Sequence, residues 1–392
     1  MMRPRLVAPQ TSGPEPRLRA SGVAWRRIVA LAIVGLAATA AGFVWAPART
    51  WAGALAAVLF ALYATLGAAA FAAMNQVSGA GWHVVFKRVP DALASAVPLC
   101  GIALVALIPG ALDLFPWWAL PAEALQPRFS LEALVARTVA AAAVSALLVA
   151  LWRRESARLD ATGEPRHLRR GARLAAVLLL AVGYAVWLLS ATWIEALEPH
   201  WSSNITGLFR IAGTLSAGVA TVTLVTVALR RRGRLPEVSP AHLHDLAVFQ
   251  LAFSTLWAYM WWSQYLLVWY ADLPEEAGYY VARLSDGWSL PFLASLVFGW
   301  LLPFVLLLPR VGKRSEVNLL WVSAMILVGQ WLDLYVSITP AVCRQHPGVG
   351  LAELGPLALI VAVTGAISAR ALTRRPPTPA GDPYLAESVA HR

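Results

Sequence analysis

The chain has 392 residues, of which 59% are apolar and 14% charged, with a mean hydropathy of +0.62. A soluble domain is about a quarter charged, so this chain lacks the charge to cover a water-facing surface, and its apolar content excludes a disordered or collagen-like chain. Two cysteines supply no disulfide framework, zinc cluster, c-type haem site or iron–sulfur ligand set. The net charge of +11 lies in short clusters between apolar runs, which argues against nucleic acid, since binding it needs a continuous basic face.

A hydrocarbon core about 30 Å thick takes roughly 20 apolar residues at 1.5 Å each. Ten runs answer to that length: 28–44, 51–74, 92–112, 134–151, 174–194, 205–229, 246–270, 290–308, 319–338 and 354–371. The 27 residues before the first run carry Pro and Arg and are long for a signal peptide, so this run is read as a retained span. Residues 1–22 and 375–392 are polar and Pro-rich and are read as disordered cytoplasmic tails around a membrane domain of residues 23–374. If the N-terminus is cytoplasmic, 26 of the 32 Lys and Arg residues fall on the cytoplasmic side, five fall opposite, and Arg210 lies inside a span. That unbroken alternation fits ten spans with both termini inside. The sequence therefore predicts an all-α polytopic membrane protein with ten transmembrane helices. Two four-helix bundles, about 51–194 and 205–338, stand with two peripheral helices.

Ionisable groups at membrane depth are functional candidates by default. Asp333 lies roughly 21 Å into the ninth span, with Gln330 one turn earlier. Gln264, Tyr259 and Tyr265 lie in the seventh span and Arg210 in the sixth. Glu195, Glu198 and His200 stand where the fifth span ends. Most of the buried polarity thus gathers beneath the outer surface. Arg210 and Asp333 read either as a structural ion pair or, with Glu195, Glu198, His200 and Gln264, as a polar pocket for an amphiphilic headgroup or a proton exit. A quinol headgroup needs proton acceptors, which His, Glu or Asp can supply. On the cytoplasmic side Asp91, His242 and Asp245 are proton-entry candidates, and helix capping is the competing reading for the aspartates. No carboxylate falls at mid-depth. Trp257, Trp261 and Trp262 in the seventh span read as packing or as a stacking surface for a planar ligand. No metal-ligand, Walker or dinucleotide motif is present.

Several stretches are similar to one known family. The segment Trp193-Ile194-Glu195-Ala196-Leu197-Glu198-Pro199-His200-Trp201 resembles a pattern of the NrfD-like membrane subunits of bacterial alternative complex III. So do His242-Leu243-His244-Asp245-Leu246, Trp257-Ala258-Tyr259-Met260-Trp261-Trp262-Ser263-Gln264-Tyr265, Leu267 to Glu276, Gln330-Trp331-Leu332-Asp333-Leu334-Tyr335, and Gly79-Ala80-Gly81-Trp82 with Arg88. The resemblance implies ten helices in two four-helix bundles. It also implies an inner-membrane complex that oxidises menaquinol and reduces a periplasmic carrier. Its implied partners are a paralogous NrfD-like subunit, an iron–sulfur protein and multihaem cytochrome c subunits. Haem and iron–sulfur clusters would sit only in those partners, and quinone would be the only cofactor near this chain, which would not be catalytic alone. Thr192 stands where the family has Asp, and Gln330 where it has His. Two other readings stand beside this one: a transporter of small solutes or ions, and a purely structural scaffold.

Overall fold

A computed structural model describes residues 22–119, 130–199, 201, 203–343, 347–376 and 378–392. Among these the chain is helical and contains no strand. The long elements are α1 (Gly22–Trp45), α2 (Pro47–Val77), α3 (Arg88–Leu114), α4 (Leu131–Thr162), α5 (Pro165–Trp193), α6 (Asn204–Arg231) and α7 (Pro240–Ala271). A short α8 (Pro274–Leu284) precedes α9 (Ser289–Leu307), α10 (Glu316–Val342) and α11 (Leu351–Thr373), and α12 (Leu385–Ala390) closes the series.

Nine of these helices are long and apolar enough to cross a membrane. The tenth expected span, α7, has 32 residues but is not among the nine, because Gln, Trp and Tyr interrupt its apolar run. The caps follow the sequence. Ser130, Ser203, Ser239 and Ser315 accept from backbone amides in the first turns of α4, α6, α7 and α10. Gly163 at φ +65° ends α4 in the left-handed conformation.

Helices α2 to α5 pack together, as do α6, α7, α9 and α10. Helix α1 lies mainly on α11, and α11 in turn on α2. Helix α2 is the hub and is buried on all sides by neighbours from both bundles. Lipid supplies no hydrophobic force between helices, so close association depends on small residues that let backbones approach. The crossing of α2 and α6 meets that need. A Cβ on Gly67 would come within 1.9 Å of the Thr214 carbonyl oxygen, and one on Gly218 within 2.1 Å of the Gly67 carbonyl carbon.

The helix ends and turns at 22–27, 77–88, 153–173, 230–240, 310–315 and 370 onward carry most of the arginines among the described residues and form one face of the molecule, called here the arginine-rich face. The sequence reading needs one correction on this face. Residues 378–392, expected to be disordered, fold back onto it. They contain α12 and bury Asp382 and Ser388. Their polar groups find partners on the helix ends, which composition alone does not reveal. The N-terminal tail lies, up to residue 21, outside the described residues.

Replacing Gly218 by Ala should cost about 1–3 kcal/mol or more, because the obstruction is backbone and cannot rotate away. Thermal unfolding of the purified protein in detergent checks this, with Gly365→Ala, where the added Cβ meets nothing within 4 Å, as the neutral control.

Candidate functional site

Two polar regions stand out, one beneath each face. On the face opposite the arginines, α6 and α10 bring Arg210 to Asp333. The guanidinium donates to the Asp333 carboxylate and to the Ser337 hydroxyl, one turn further along α10. The Ser337 hydroxyl donates onward to the Asp333 carbonyl at 2.7 Å. All three residues are buried. The structure thus realises the ion-pair reading of Arg210 and Asp333. A gap of about 10 Å³, roughly one water in size, separates them from Tyr63 and Gln330.

Further toward that face lies a cavity of about 550 Å³, well inside the range of small-molecule sites. Glu198, Trp201, Tyr279, Ser285 and Trp288 are among the residues that line it. Its organiser is Arg283, which is 1% exposed. Arg283 donates to the Tyr279, Val336 and Ser337 carbonyls at 2.7–2.9 Å and pairs with Glu198 at 2.8 Å. Its guanidinium also lies 3.3 Å above the Tyr279 ring, and Trp201 stacks on that ring with a centroid separation of 4.0 Å. The stack explains how a buried cation is tolerated, since the ring face and three carbonyls replace its hydration. The indole N–H groups of Trp201 and Trp288 are buried without a hydrogen-bond partner among the described residues. Asp286 and Gly287, at φ +50° and +84°, form the tight turn from α8 into α9 at the cavity edge.

The other candidates on this side separate. Glu195 lines a separate, smaller cavity of about 40 Å³ with Arg137, Ser130 and Thr192. Gln264 donates to Thr206 at 3.4 Å between α7 and α6. Tyr259 is 62% exposed on the outside of the bundle, so it is not part of the buried polar layer. His200 lies outside the described residues. Trp257 and Trp261 are buried in an aromatic cluster with Phe209 and Phe292, which is a packing role.

The region at the arginine-rich face divides the three expected residues between two clusters. Asp91 is buried, accepts from the Ser156 hydroxyl at 2.8 Å and lines a cavity of about 50 Å³ with Asn75, Gln76, His83 and Lys87. Lys87 pairs with Asp160 at 2.7 Å and with Asp382, and Arg88 also pairs with Asp160. His242 belongs to the second cluster. Its Nδ1 accepts from the Ser239 backbone N–H at 3.0 Å, completing the cap of α7, while its ring packs against Trp82, Phe86 and His391. Asp245 pairs with His391 at 2.8 Å and lies 3.3 Å from His244.

Sequence reasoning missed Arg283, Lys87, Arg88, Asp160 and Trp288. It counted the three cations as topology signals. The available clue for Arg283 was its position one turn after Tyr279 on a short amphipathic helix.

Comparison with known protein families and with curated proteins finds no match to this chain.

Removing one partner of a buried ion pair costs about 3–5 kcal/mol, because the other charge is stranded. Asp333→Leu should therefore destabilise by that amount, and the double variant Arg210→Met/Asp333→Leu should recover most of it in thermal unfolding. A second expectation concerns pH. Burial, and then the neighbouring Lys87, push the His83 pKa down to about 4 from an ordinary value near 6.5. Between those values the unfolded chain holds a proton that the folded chain refuses. Stability should thus fall as pH drops from about 6.5 toward 4, by up to roughly 1.4 kcal/mol per unit. His83→Gln should make that part of a stability-against-pH curve shallower, while His242, also pushed down to about 4 by burial, keeps a share of the slope.

Proposed function

We propose that the chain is an integral subunit of a quinol-oxidising respiratory complex of the alternative complex III type, holding a quinol headgroup in the cavity organised by Arg283. The observation that carries this reading is the cavity itself. Trp201 and Trp288 line it, with the Trp201 ring seated on Tyr279, and the Glu198 carboxylate stands in its wall. A planar, neutral molecule that stacks on an indole and can release a proton complements that lining. Glu198, paired with Arg283, is the carboxylate placed to accept a proton from it. The menaquinol of the resembling family is such a molecule.

The chain carries no electron carrier of its own, so the electrons pass to partners: an iron–sulfur protein and multihaem cytochrome c subunits, beside a paralogous membrane subunit. The bias of arginine toward one face supports a reading in which that face lies in the cytoplasm of a bacterial inner membrane, with both termini there. The cavity then opens on the periplasmic side, where a haem carrier would be reduced. Under this reading Asp333 and Arg210 are structural, and Asp91, His242 and Asp245 do not form one proton entrance, because they lie in separate clusters.

The test is purification of the tagged chain in mild detergent, with haem staining and quinone extraction. Co-purifying haem protein, iron–sulfur protein and quinone are expected. Trp201→Ala should lower the retained quinone about tenfold, while Gln250→Leu, at a distance from the cavity, leaves it unchanged. A chain that purifies alone without haem or quinone overturns this reading and brings solute transport forward, to be measured as uptake into proteoliposomes.

A further inference from the structure

Residues 378–392 cross the arginine-rich face from the end of α4 to the start of α7. Their hold is largely polar. Asp382 pairs with Lys87. The Ser388 hydroxyl donates to the Trp82 carbonyl and accepts from the Val85 amide at 3.1 Å. The Ser239 hydroxyl donates to the His391 carbonyl, and His391 Nε2 meets the Asp245 carboxylate, both at 2.8 Å. The fit is close. A Cβ on Gly381 would come within 2.5 Å of the Asp160 carbonyl oxygen, and one on Gly81 within 2.7 Å of the Glu387 carboxylate.

Beneath this segment is the cavity lined by Asn75, His83, Asp91 and Ser156, and the segment's Asp382 and Tyr384 complete its wall. The charges are arranged so that the wall can leave. Lys87 is paired from below by Asp160 as well as from above by Asp382, and Arg88 is also paired by Asp160. Departure of Asp382 leaves Lys87 and Arg88 sharing the Asp160 carboxylate, and the opened cavity admits water to screen the one positive charge in excess. Apolar anchoring is thin, since Leu385 is only partly buried against the helical core. A short segment at the end of the described chain, held mainly by polar contacts, belongs to the low-stability end of local opening.

We propose that residues 378–392 are a releasable strap. Docked, the strap closes the cavity at the arginine-rich face. Released, it opens Asp91, Ser156 and His83 to the solution on that side. The inference does not depend on quinol binding at the other face.

The test uses the full chain with Cys100→Ala and Cys343→Ser, and a single probe cysteine, Ser156→Cys, facing the cavity. Its reaction with a charged maleimide is expected to be slow. Gly381→Val with Ser388→Ala and His391→Ala disturbs only the strap and leaves the cavity lining intact, and should raise the labelling rate at least about tenfold. Hydrogen exchange on the unaltered chain gives a second reading. Amides of 382–391 are expected to exchange together and well ahead of those in α11. The proposal is overturned if the probe labels rapidly with the strap in place, or equally in both proteins. It is also overturned if the strap amides are as protected as those of α2. Loss of a folded, monodisperse protein on strap substitution would make the segment a structural element and overturn it as well.

Discussion

The contact on which the rest of the molecule depends is the crossing of α2 and α6, where Gly67 and Gly218 let two backbones touch. In lipid, apolar side chains gain little by meeting one another, so helix association rests on intimate packing and on hydrogen bonds. This crossing joins the two bundles and makes α2 an interior helix. It also fixes the height of everything above it. Two turns along α6 toward the opposite face, Arg210 meets Asp333 of α10, beside Tyr63 of α2. The ion pair ties α6 to α10 within the second bundle, and the glycine contact ties that bundle to the first.

The polar inventory divides by depth. At both faces, charged groups meet in networks that include several elements. Between the faces, the buried hydroxyls of Thr65, Thr214 and Thr223 donate to carbonyls of their own helices at 2.8–2.9 Å. A hydroxyl engaged in this way satisfies itself locally and offers no proton to a neighbour. Cross-helix bonds at this depth include Gln250 to Ser323 at 2.6 Å between α7 and α10 and Trp300 to Thr255 at 3.3 Å between α9 and α7. The molecule is thus built as two polar ends separated by a mostly apolar middle, which suits chemistry confined to one face at a time.

How much of this was legible in the sequence follows from what each signal measures. Run length and arginine alternation report the spans, because bilayer thickness and charge bias act on every helix alike. The Arg210 to Asp333 pair was legible because two opposite charges in hydrocarbon have few other partners. Arg283 was not, since an arginine just outside a span looks the same whether it faces solvent or, as here, anchors on Tyr279 and three carbonyls. The outward direction of Tyr259 and the separation of Asp91 from His242 depend on helix rotation, which run length does not encode. The docked segment at 378–392 was read as disordered because a polar, Pro-containing composition serves a solvated tail and a hydrogen-bonded strap equally well.

Helix α9 contains one five-residue π turn, Val297–Leu301, at the point where Gly299 packs against Gly329 of α10. The buried positions along this helix are Phe292, Ser295, Gly299, Pro303 and Leu307. Over that length a regular α-helix would drift by about 60°, turning one end of the stripe toward lipid. The wider turn absorbs the drift. Phe292 therefore joins the aromatic cluster near the Arg283 cavity, while Leu307 joins the core at the arginine-rich face. A single helix thereby keeps its two ends in phase with two differently built halves of the protein, as a vernier scale aligns two rulers of unequal pitch.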